Sequence, residues 1–202
     1  MQLCKVLIAL VACTMLRCGT TGGNQPVAAP CAVNLAGTVI TSDSVYLNRA
    51  LGLVFYQGCV FTGTVTSRYS NDTIAASIDY VLGKRHGGYQ KWFENGRLSY
   101  STNYVNGKQN GKATSWWRNG NIRSEAHFVA GVPEGVQTQY YQSGSLFKKM
   151  HLVNGKEQGR QQSWRENGKL YNNYEAKNGR VFGLKRSKLC FKLSDENIVF
   201  NE

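Results

Sequence analysis

A glycine spacing of 24 residues runs through the last two thirds of this 202-residue chain. One glycine opens each period and a second follows it four residues later. The first set is Gly83, Gly107, Gly131, Gly155 and Gly179, and the second set is Gly87, Gly111, Gly135, Gly159 and Gly183. Cys59 and Gly63 extend the series by one step, so six units span residues 59–202. A fixed period of this length is typical of a repeat array, whose units bury their surfaces against one another.

Two turns are expected in each unit, because Asn-Gly recurs about every half period. The pairs are Asn95-Gly96, Asn106-Gly107, Asn119-Gly120, Asn154-Gly155, Asn167-Gly168 and Asn178-Gly179. Asn-Gly favours the type I′ turn of a β-hairpin. The intervening segments of roughly seven to eight residues suit strands and are too short for packed helices. The sequence therefore predicts an all-β fold: an elongated single-layer antiparallel meander of six tandem 24-residue β-hairpin repeats.

Residues at the same position in successive units form columns, and these columns predict which residues share a face of the sheet. Positions are numbered from the first residue of each unit, which is +0. Alternation along a strand places +15, +19 and +21 on one face and +16, +18 and +20 on the other. Positions +9 and +10 are aromatic in most units: Trp92-Phe93, Trp116-Trp117, Tyr140-Tyr141, then Trp164-Arg165. Each face should therefore carry a row of aromatic rings. Both rows could be packing, or one could form an exposed binding surface.

A candidate binding surface follows from the second alternative. It consists of the aromatic residues at +9 and nearby cations: Trp92, Trp116, Tyr140 and Trp164, with Lys91, Arg118 and Lys169 at the rim. Tyr, Trp and Arg are enriched in protein interfaces and hot spots. We expect a groove here that receives a protein or a polymer. In the other interpretation the rings are core, and self-association covers whatever remains exposed.

The N-terminus has the features of a secretory leader. Residues 1–12 carry one charge, Lys5, followed by an apolar run too short to cross a bilayer. Residues 10–13 resemble a bacterial lipobox, which predicts lipidation of Cys13. Ordinary signal-peptidase cleavage and acylation at Cys18 remain alternatives. We expect a signal peptide at 1–12, a flexible tether at 13–36 rich in Gly, Thr and Ala, and a capping hairpin at 37–58 before the array at 59–202.

The charge of the chain favours some classes of partner, and the motifs that it lacks argue against several classes of function. The formal net charge is +12, and 20 of the 24 Lys and Arg residues lie from Lys84 onward, which suits anionic partners. No CxxC pair, nucleophile elbow, paired carboxylates or nucleic-acid motif is present, so we expect no metal, no cofactor, no specific nucleic acid and no enzymatic activity. In an oxidising compartment Cys31 could pair with Cys18 or with Cys59.

The repeat core resembles a known family. Segments 92–98 and 164–170, and the joints 104–111 and 154–159, resemble the MORN-repeat variant of the YwqK-type antitoxin-like family, over about residues 44–190. The resemblance implies single-layer β-hairpin repeats without enzymatic activity. Some members are named as antitoxins of secreted-toxin systems. The family has no defined active residues that could be transferred to this chain.

These observations predict a non-catalytic repeat module of an envelope lipoprotein that binds a protein partner, with an antitoxin or immunity role as one form of that binding. The alternative is an electrostatic binder of anionic lipid or envelope polysaccharide. In both cases we expect the chain at the bacterial cell envelope, held by its lipid anchor on the periplasmic side or at the cell surface.

Overall fold

A computed structural model describes residues 31–185 and the two short strands Phe191–Ser194 and Asn197–Phe200. The predicted signal peptide, the predicted lipidation site Cys13, the alternative disulfide partner Cys18 and most of the predicted tether lie outside the described residues. Over the part that is described, no helix reaches the length and apolar character needed to cross a bilayer.

The prediction of an all-β meander is confirmed, because seventeen strands form one open sheet in which neighbours along the chain pair antiparallel. They are β1 (Ala32–Thr41), β2 (Val45–Asn48), β3 (Leu53–Tyr56), β4 (Cys59–Arg68), β5 (Ile74–Val81), β6 (Lys84–Trp92), β7 (Leu98–Val105), β8 (Lys108–Gln109), β9 (Gly111–Trp116), β10 (Ile122–Val129), β11 (Val132–Pro133), β12 (Gly135–Tyr140), β13 (Leu146–Val153), β14 (Lys156–Glu157), β15 (Gly159–Trp164), β16 (Leu170–Lys177) and β17 (Arg180–Leu184). A 3₁₀ turn, Ser42–Ser44, follows β1. In the sixth unit, β18 (Phe191–Ser194) and β19 (Asn197–Phe200) pair in a separate sheet.

Two turn types alternate along the array. At one end of the hairpins both residues of a two-residue turn have positive φ, as in Asn106 at 49° and Gly107 at 80°, which is a type I′ turn. At the other end only the glycine does: Gly120 has φ 100° and donates its N–H to the carbonyl of Trp117 at 2.9 Å. That arrangement is a type I turn followed by a left-handed glycine.

The expectation of a type I′ turn at every Asn-Gly is therefore wrong at Asn95, Asn119 and Asn167, which do not have positive φ. The physical reason is visible in their side chains. Each Asn Oδ1 accepts the backbone N–H two residues later, as Asn121 N–H donates to Asn119 at 3.1 Å. This Asx turn holds the asparagine in a right-handed conformation within a longer loop.

A β-bulge at +16 changes which residues share a face. Lys91 pairs with Tyr100, but Trp92 pairs with Leu98, so Ser99 is an extra residue in β7. The same shift recurs in the next three hairpins. Position +15 therefore lies with +9 on one face, and +17, +19 and +21 lie on the other. The predicted grouping of +15 with +19 and +21, and of +16 with +18 and +20, is wrong because alternation holds only along an uninterrupted strand.

The second glycine of the third unit, Gly111, lies at another register shift. Tyr104 pairs with Gln109, whereas Ser101 pairs with Thr114, so the segment around Gly111 contains two additional residues. Gly111 has φ 87°, a left-handed value that favours glycine. In the third, fourth and fifth units the glycine at +4 begins the long strand after a break from the short one, whereas β17 of the sixth unit runs through Gly183 without a break.

A hydrogen bond within each unit connects its two ends near successive type I′ turns. The side chain at +3 accepts the first N–H of the turn that ends the same unit, 20 residues later. These donor-to-acceptor pairs are Leu82 to Thr62, Asn106 to His86, Ala130 to Asn110 and Asn154 to Glu134. Each +3 residue is a different type, but all of them present an acceptor. The repeated contact explains how a single-layer array keeps its units in register.

The N-terminal end holds the most deeply buried cluster. Phe61 is fully buried, and Val54 and Val65 pack with it. β1 pairs in parallel with β4, and the Cys31–Cys59 disulfide, with its Cα atoms 4.8 Å apart, joins the two strands. Of the two partners considered for Cys31, the structure therefore selects Cys59. β1 includes residues 32–36, which the sequence analysis assigned to the tether, and the β2–β3 hairpin lies within the segment assigned to the cap.

Candidate functional site

The two sides of the sheet differ and are named here by their aromatic rows. The ladder face carries the +9 residues, Trp92, Trp116, Tyr140 and Trp164, each half-buried and paired across strands with the aliphatic residue at +15. The track face carries the +10 residues on the opposite side. The prediction that each face holds an aromatic row agrees with this arrangement, although the aliphatic +15 column covers the ladder face and not the track face.

Charge on the ladder face is locally matched. Lys112 forms an ion pair with Glu125, whose carboxylate also accepts the hydroxyl of Tyr140 at 3.4 Å. Further along the face, Arg160 lies directly across from Glu175. Opposite charges facing each other on adjacent strands stabilise the sheet and reduce the net field at its surface. The ladder face therefore presents little net charge to a partner.

The predicted rim residues do not surround the ladder. Lys91 is on the track face, with its ammonium 5.5 Å from the ring centre of Tyr89. Arg118 lies in a turn, with its guanidinium carbon 5.7 Å from the ring centre of Phe93 at +10. Lys169 is in the equivalent turn two units later, where its N–H donates to Asn167 Oδ1. The structure brings the four +9 rings into one row but places Lys91 on the other side of the sheet.

The aromatic row of the track face is fixed by hydrogen bonds between units. The hydroxyl of Tyr141 donates to the carbonyl of Trp164 at 2.9 Å, and the indole N–H of Trp117 donates to the carbonyl of Tyr140 at 3.1 Å. Tyr69 does the same to Trp92 at 2.8 Å. In each case the partner lies 23 residues later, in the next unit. These bonds hold the +10 rings in defined positions, which favours a preorganised surface.

Aromatic and cationic side chains at +10 and +16 contact each other in three successive units and form what we call the track. Arg123 lies over the Trp117 ring at 4.8 Å, Tyr141 packs against Phe147 with centroids 5.0 Å apart, and Arg165 lies over Tyr171 at 5.5 Å. The track thus consists of Trp117, Arg123, Tyr141, Phe147, Arg165 and Tyr171. A cation over an aromatic face is attracted by the quadrupole of the ring, which helps to hold the side chain in place.

Two surface cavities lie along the track, of about 290 Å³ and 440 Å³. Phe147 lines both of them, so its ring lies between the two cavities. Its side chain is 39% exposed, which makes it one of the large apolar residues that the described chain leaves to solvent. An aromatic residue exposed between two depressions is a feature of ligand grooves.

The track face is strongly basic. The strand register and the ring contacts place these cations on it: Arg85, Lys91, Arg123, Lys148, Arg165 and Lys185. Glu157 lies beside two of them, Lys148 and Lys185. Its carboxylate accepts the Tyr174 hydroxyl at 3.0 and 2.9 Å and lies 3.8 Å from the Lys185 ammonium. Burial, together with this hydrogen bond to Glu157, raises the pKa of Tyr174 to about 12.

The +16 residues of the track, Arg123, Phe147 and Tyr171, were not predicted from the sequence. Strict alternation groups +16 with +18 and +20, and gives no reason to place it beside the +10 rings. A usable signal was present, since a bulky residue at +16 follows an aliphatic residue at +15 in these units and breaks strict alternation. The acceptor column at +3 was not predicted, because its residues share a hydrogen-bonding role but are of four different residue types.

Residues 109–130 and 133–154 match the family described as the MORN repeat variant. These are the third and fourth units, which contribute Trp117, Arg123, Tyr141 and Phe147 to the track. The chain therefore contains MORN repeat variant units, which are generally modules of binding proteins. No curated protein matches this chain.

Proposed function

We propose that this chain is a non-catalytic repeat module that binds a protein partner through its track face. The observation that carries the proposal is the contrast between the two faces of one sheet. The ladder face has matched charges, and its rings are paired across strands with aliphatic neighbours. The track face has an excess of cations beside aromatic rings, and aromatic residues and arginine are enriched in protein interfaces.

The track face therefore replaces the +9 row as the preferred docking surface, while the +9 row remains the competing candidate. The two can be separated by placing a photo-crosslinking phenylalanine analogue at either position 147 or position 127 in living cells. Both sites are exposed, but Phe147 lies on the track face and His127 on the ladder face. We expect a discrete protein adduct from position 147 and none from position 127.

A charge-matched control supports that assignment. Lys148 and Lys149 are adjacent, but cross-strand pairing places Lys148 on the track face and Lys149 on the ladder face. Lys148→Gln should reduce the adduct, and Lys149→Gln should leave it unchanged. An adduct from position 127 that responds to Lys149→Gln would move the site to the ladder face and refute the proposal.

We further propose that the module acts at the bacterial envelope through a lipid on Cys13, and that its partner binding has an antitoxin or immunity role. The leader sequence and the repeat resemblance support these steps. Metabolic labelling with an alkyne fatty acid tests the anchor, since Cys13→Ser should lose the label and Cys18→Ser should keep it. Co-expression with a toxin encoded beside this gene tests the role: rescue of growth should require Lys148 and not Lys149.

The same cations favour a second candidate function, electrostatic binding of anionic lipid or envelope polysaccharide. Such binding would decline steeply with ionic strength and would depend on the total charge more than on its position. Co-sedimentation with phosphatidylglycerol vesicles at low and high salt measures it. Equal losses of binding in Lys148→Gln and Lys149→Gln would favour this candidate over a protein partner.

A further inference from the structure

We propose that Asn178 is a site of spontaneous deamidation in the folded protein, and that the other five Asn-Gly pairs are protected from this reaction. The inference does not depend on the proposed function. It follows from the contacts of the glycine after each asparagine. Deamidation begins when the backbone nitrogen of that glycine attacks the side-chain amide, so a hydrogen bond from its N–H slows the reaction by the cost of breaking that bond.

The reaction consumes one water molecule and releases ammonia. Hydroxide removes the proton from the Gly179 nitrogen, which then forms a bond to Cγ of Asn178. The bond from Cγ to Nδ2 breaks, and Nδ2 leaves as ammonia with a proton from water, which regenerates the hydroxide. Water then opens the succinimide ring to give aspartate or isoaspartate. The attacking residue is uncrowded, since a Cβ at Gly179 would meet no described atom within 4 Å beyond its chain neighbours.

The glycine N–H groups of the other five pairs are all engaged. Those of the type I turns donate to the carbonyl three residues earlier, at 2.9 Å in each case: Gly96, Gly120 and Gly168. Those of the type I′ turns bond back to the start of the unit that the turn closes, Gly107 to Arg85 at 2.8 Å and Gly155 to Pro133 at 3.0 Å. In the described part of the chain, the N–H of Gly179 has no such acceptor.

Asn178 also lacks the second contact of the type I′ turns. The N–H of Asn106 donates to His86, and that of Asn154 donates to Glu134 at 2.7 Å. The corresponding +3 residue here is Gln158, and among the described contacts it accepts nothing from Asn178. A cavity of about 860 Å³ is instead lined by this turn together with Gln158 and its neighbour Glu157. The turn is therefore separated from the residues that would hold it closed.

Strand pairing differs at the same joint. β17 pairs with β16 without interruption from Arg180 to Leu184. Each of the four preceding joints contains a register shift instead. Opening the turn at Asn178 thus disturbs only the β16–β17 hairpin, whereas opening an equivalent turn also breaks its bonds to the start of the unit. Local opening of this kind sets how often a backbone nitrogen is free to react.

The product changes the surface on which it forms. Lys156, Arg180 and Lys185 line the same cavity as the turn. A new carboxylate at residue 178 would therefore lie near three cations and would lower the net charge of the chain by one. Isoaspartate would in addition lengthen the backbone of the turn by one carbon, which a two-residue type I′ turn does not accommodate.

Peptide mapping by mass spectrometry measures the reaction at each site. The full chain with Cys13→Ser would be incubated at mildly alkaline pH, once folded and once unfolded in urea, and the rates in urea correct for local sequence. We expect Asn178 in the folded protein to react within about threefold of its rate in urea. The other five asparagines should be slowed at least about tenfold, because hydrogen bonds of ordinary strength must open first.

Two matched variants connect the protection to the turn contact. Glu134→Ala removes the acceptor of the Asn154 N–H, so deamidation of Asn154 in the folded protein should rise at least about threefold. Asn106 has the same neighbouring residues in sequence and should not change. Gln158→Ala alters the equivalent +3 residue of the fifth unit, where no bond to the turn is described, and should leave the rate at Asn178 unchanged.

The outcomes are decisive without the variants. The inference is overturned if folding slows Asn178 as strongly as Asn106 and Asn154, or if these two react in the folded protein as fast as they do in urea. A slower reaction at Asn178 in the parent than in Gln158→Ala would also overturn it, because Gln158 would then protect the turn. If circular dichroism shows that Glu134→Ala is unfolded, the comparison of folded and unfolded parent protein still decides.

Discussion

Replacing Ala130 by asparagine should stabilise this protein. Ala130 is the first residue of a type I′ turn, with φ at 49°, where the equivalent residues Asn106, Asn154 and Asn178 have φ between 49° and 51°. An ordinary L-residue pays roughly 1–2 kcal/mol for a left-handed conformation, while asparagine adopts it more readily. We therefore expect Ala130→Asn to raise the free energy of unfolding by about 1 kcal/mol.

The contacts at this turn are preserved by the substitution. The Ala130 side chain is exposed, and its N–H donation to Asn110 Oδ1 at 3.2 Å involves only the backbone of residue 130. The donation of Gly131 N–H to the carbonyl of Gln109 at 2.7 Å is also a backbone contact. Ala130→Gly should gain less, because glycine adds unfolded-state entropy that offsets roughly 0.5–1 kcal/mol of the relieved strain.

Urea unfolding followed by tryptophan fluorescence measures the effect, since all four tryptophans, Trp92, Trp116, Trp117 and Trp164, lie in the array. In a chain of this size 1 kcal/mol corresponds to about 2–4 °C in Tm, which thermal circular dichroism can detect. Ser143→Asn is the matched control. Ser143 occupies the other turn type and does not have positive φ, so its replacement should change stability by less than about 0.5 kcal/mol.

The reverse substitution completes the test. Asn154→Ala should destabilise the protein by about 1 kcal/mol, since it introduces the strain that Ala130 carries. The strain argument is refuted if Ala130→Asn produces no gain and Asn154→Ala no loss. It is also refuted if Ser143→Asn stabilises as much as Ala130→Asn, because asparagine would then act through something other than backbone conformation.

Two further predictions concern the ends of the described array. The Cys31–Cys59 disulfide closes a loop with a sequence separation of 28, for which loop-closure entropy corresponds to about 3–4 kcal/mol of stability. Reduction should therefore lower the free energy of unfolding by that amount, measured as a lower urea midpoint. It should also increase hydrogen exchange in β1, which pairs with β4. Unchanged exchange in β1 after reduction would contradict this. Burial and the contact with Glu157 raise the pKa of Tyr174 to about 12, above its ordinary value of ~10. The protonated hydroxyl is therefore favoured in the folded state, and the stability linked to it is present below about pH 10 and is lost as the pH rises toward 12. The difference in unfolding free energy between the parent and Tyr174→Phe should therefore shrink between about pH 9 and pH 11.5, and a constant difference would contradict the assignment.

Local chemistry explains why much of the architecture could be predicted. Glycines 24 residues apart and the Asn-Gly pairs act through the backbone of their own turns, whose conformations depend on few neighbours. The turns at the six Asn-Gly pairs were therefore located correctly. The turn type was not, since Asn106 and Asn119 are both followed by glycine but lie in loops of different length. Loop length is decided by where the flanking strands pair, which two residues cannot specify.

Assignment of residues to faces failed for a related reason. Leu98 and Tyr100 have the same parity in sequence, but the bulge at Ser99 places them on opposite sides of the sheet. The bulge is defined by the pairing of β7 with β6, so it is a property of the assembled sheet. Strict alternation along the sequence therefore places Leu98 and Tyr100 on the same face.

The candidate site could likewise be predicted only in part from the sequence. The aromatic pairs at +9 and +10 and the excess of cations were evident from the sequence, and these alone indicated a basic sheet with aromatic rows on both sides. Which row is accompanied by the cations was settled only by the cross-strand pairing. Lys148 and Lys149 are neighbours of identical chemistry. Alternation along the strand separates them, but which of the two lies on the track face depends on register with β12 and β15.

The sequence by itself determined the repeat length, the strand-and-turn content and the all-β class, because these follow from backbone preferences within each unit. Tertiary structure decided the bulges, the faces, the Cys31–Cys59 pairing and the track, because each requires atoms from different strands to meet. A disulfide needs two Cα atoms within a few ångströms, here 4.8 Å, and a cation needs a ring beneath it, here Trp117 beneath Arg123 at 4.8 Å. Such distances are created by strand pairing, and a one-residue change of register would alter all of them together.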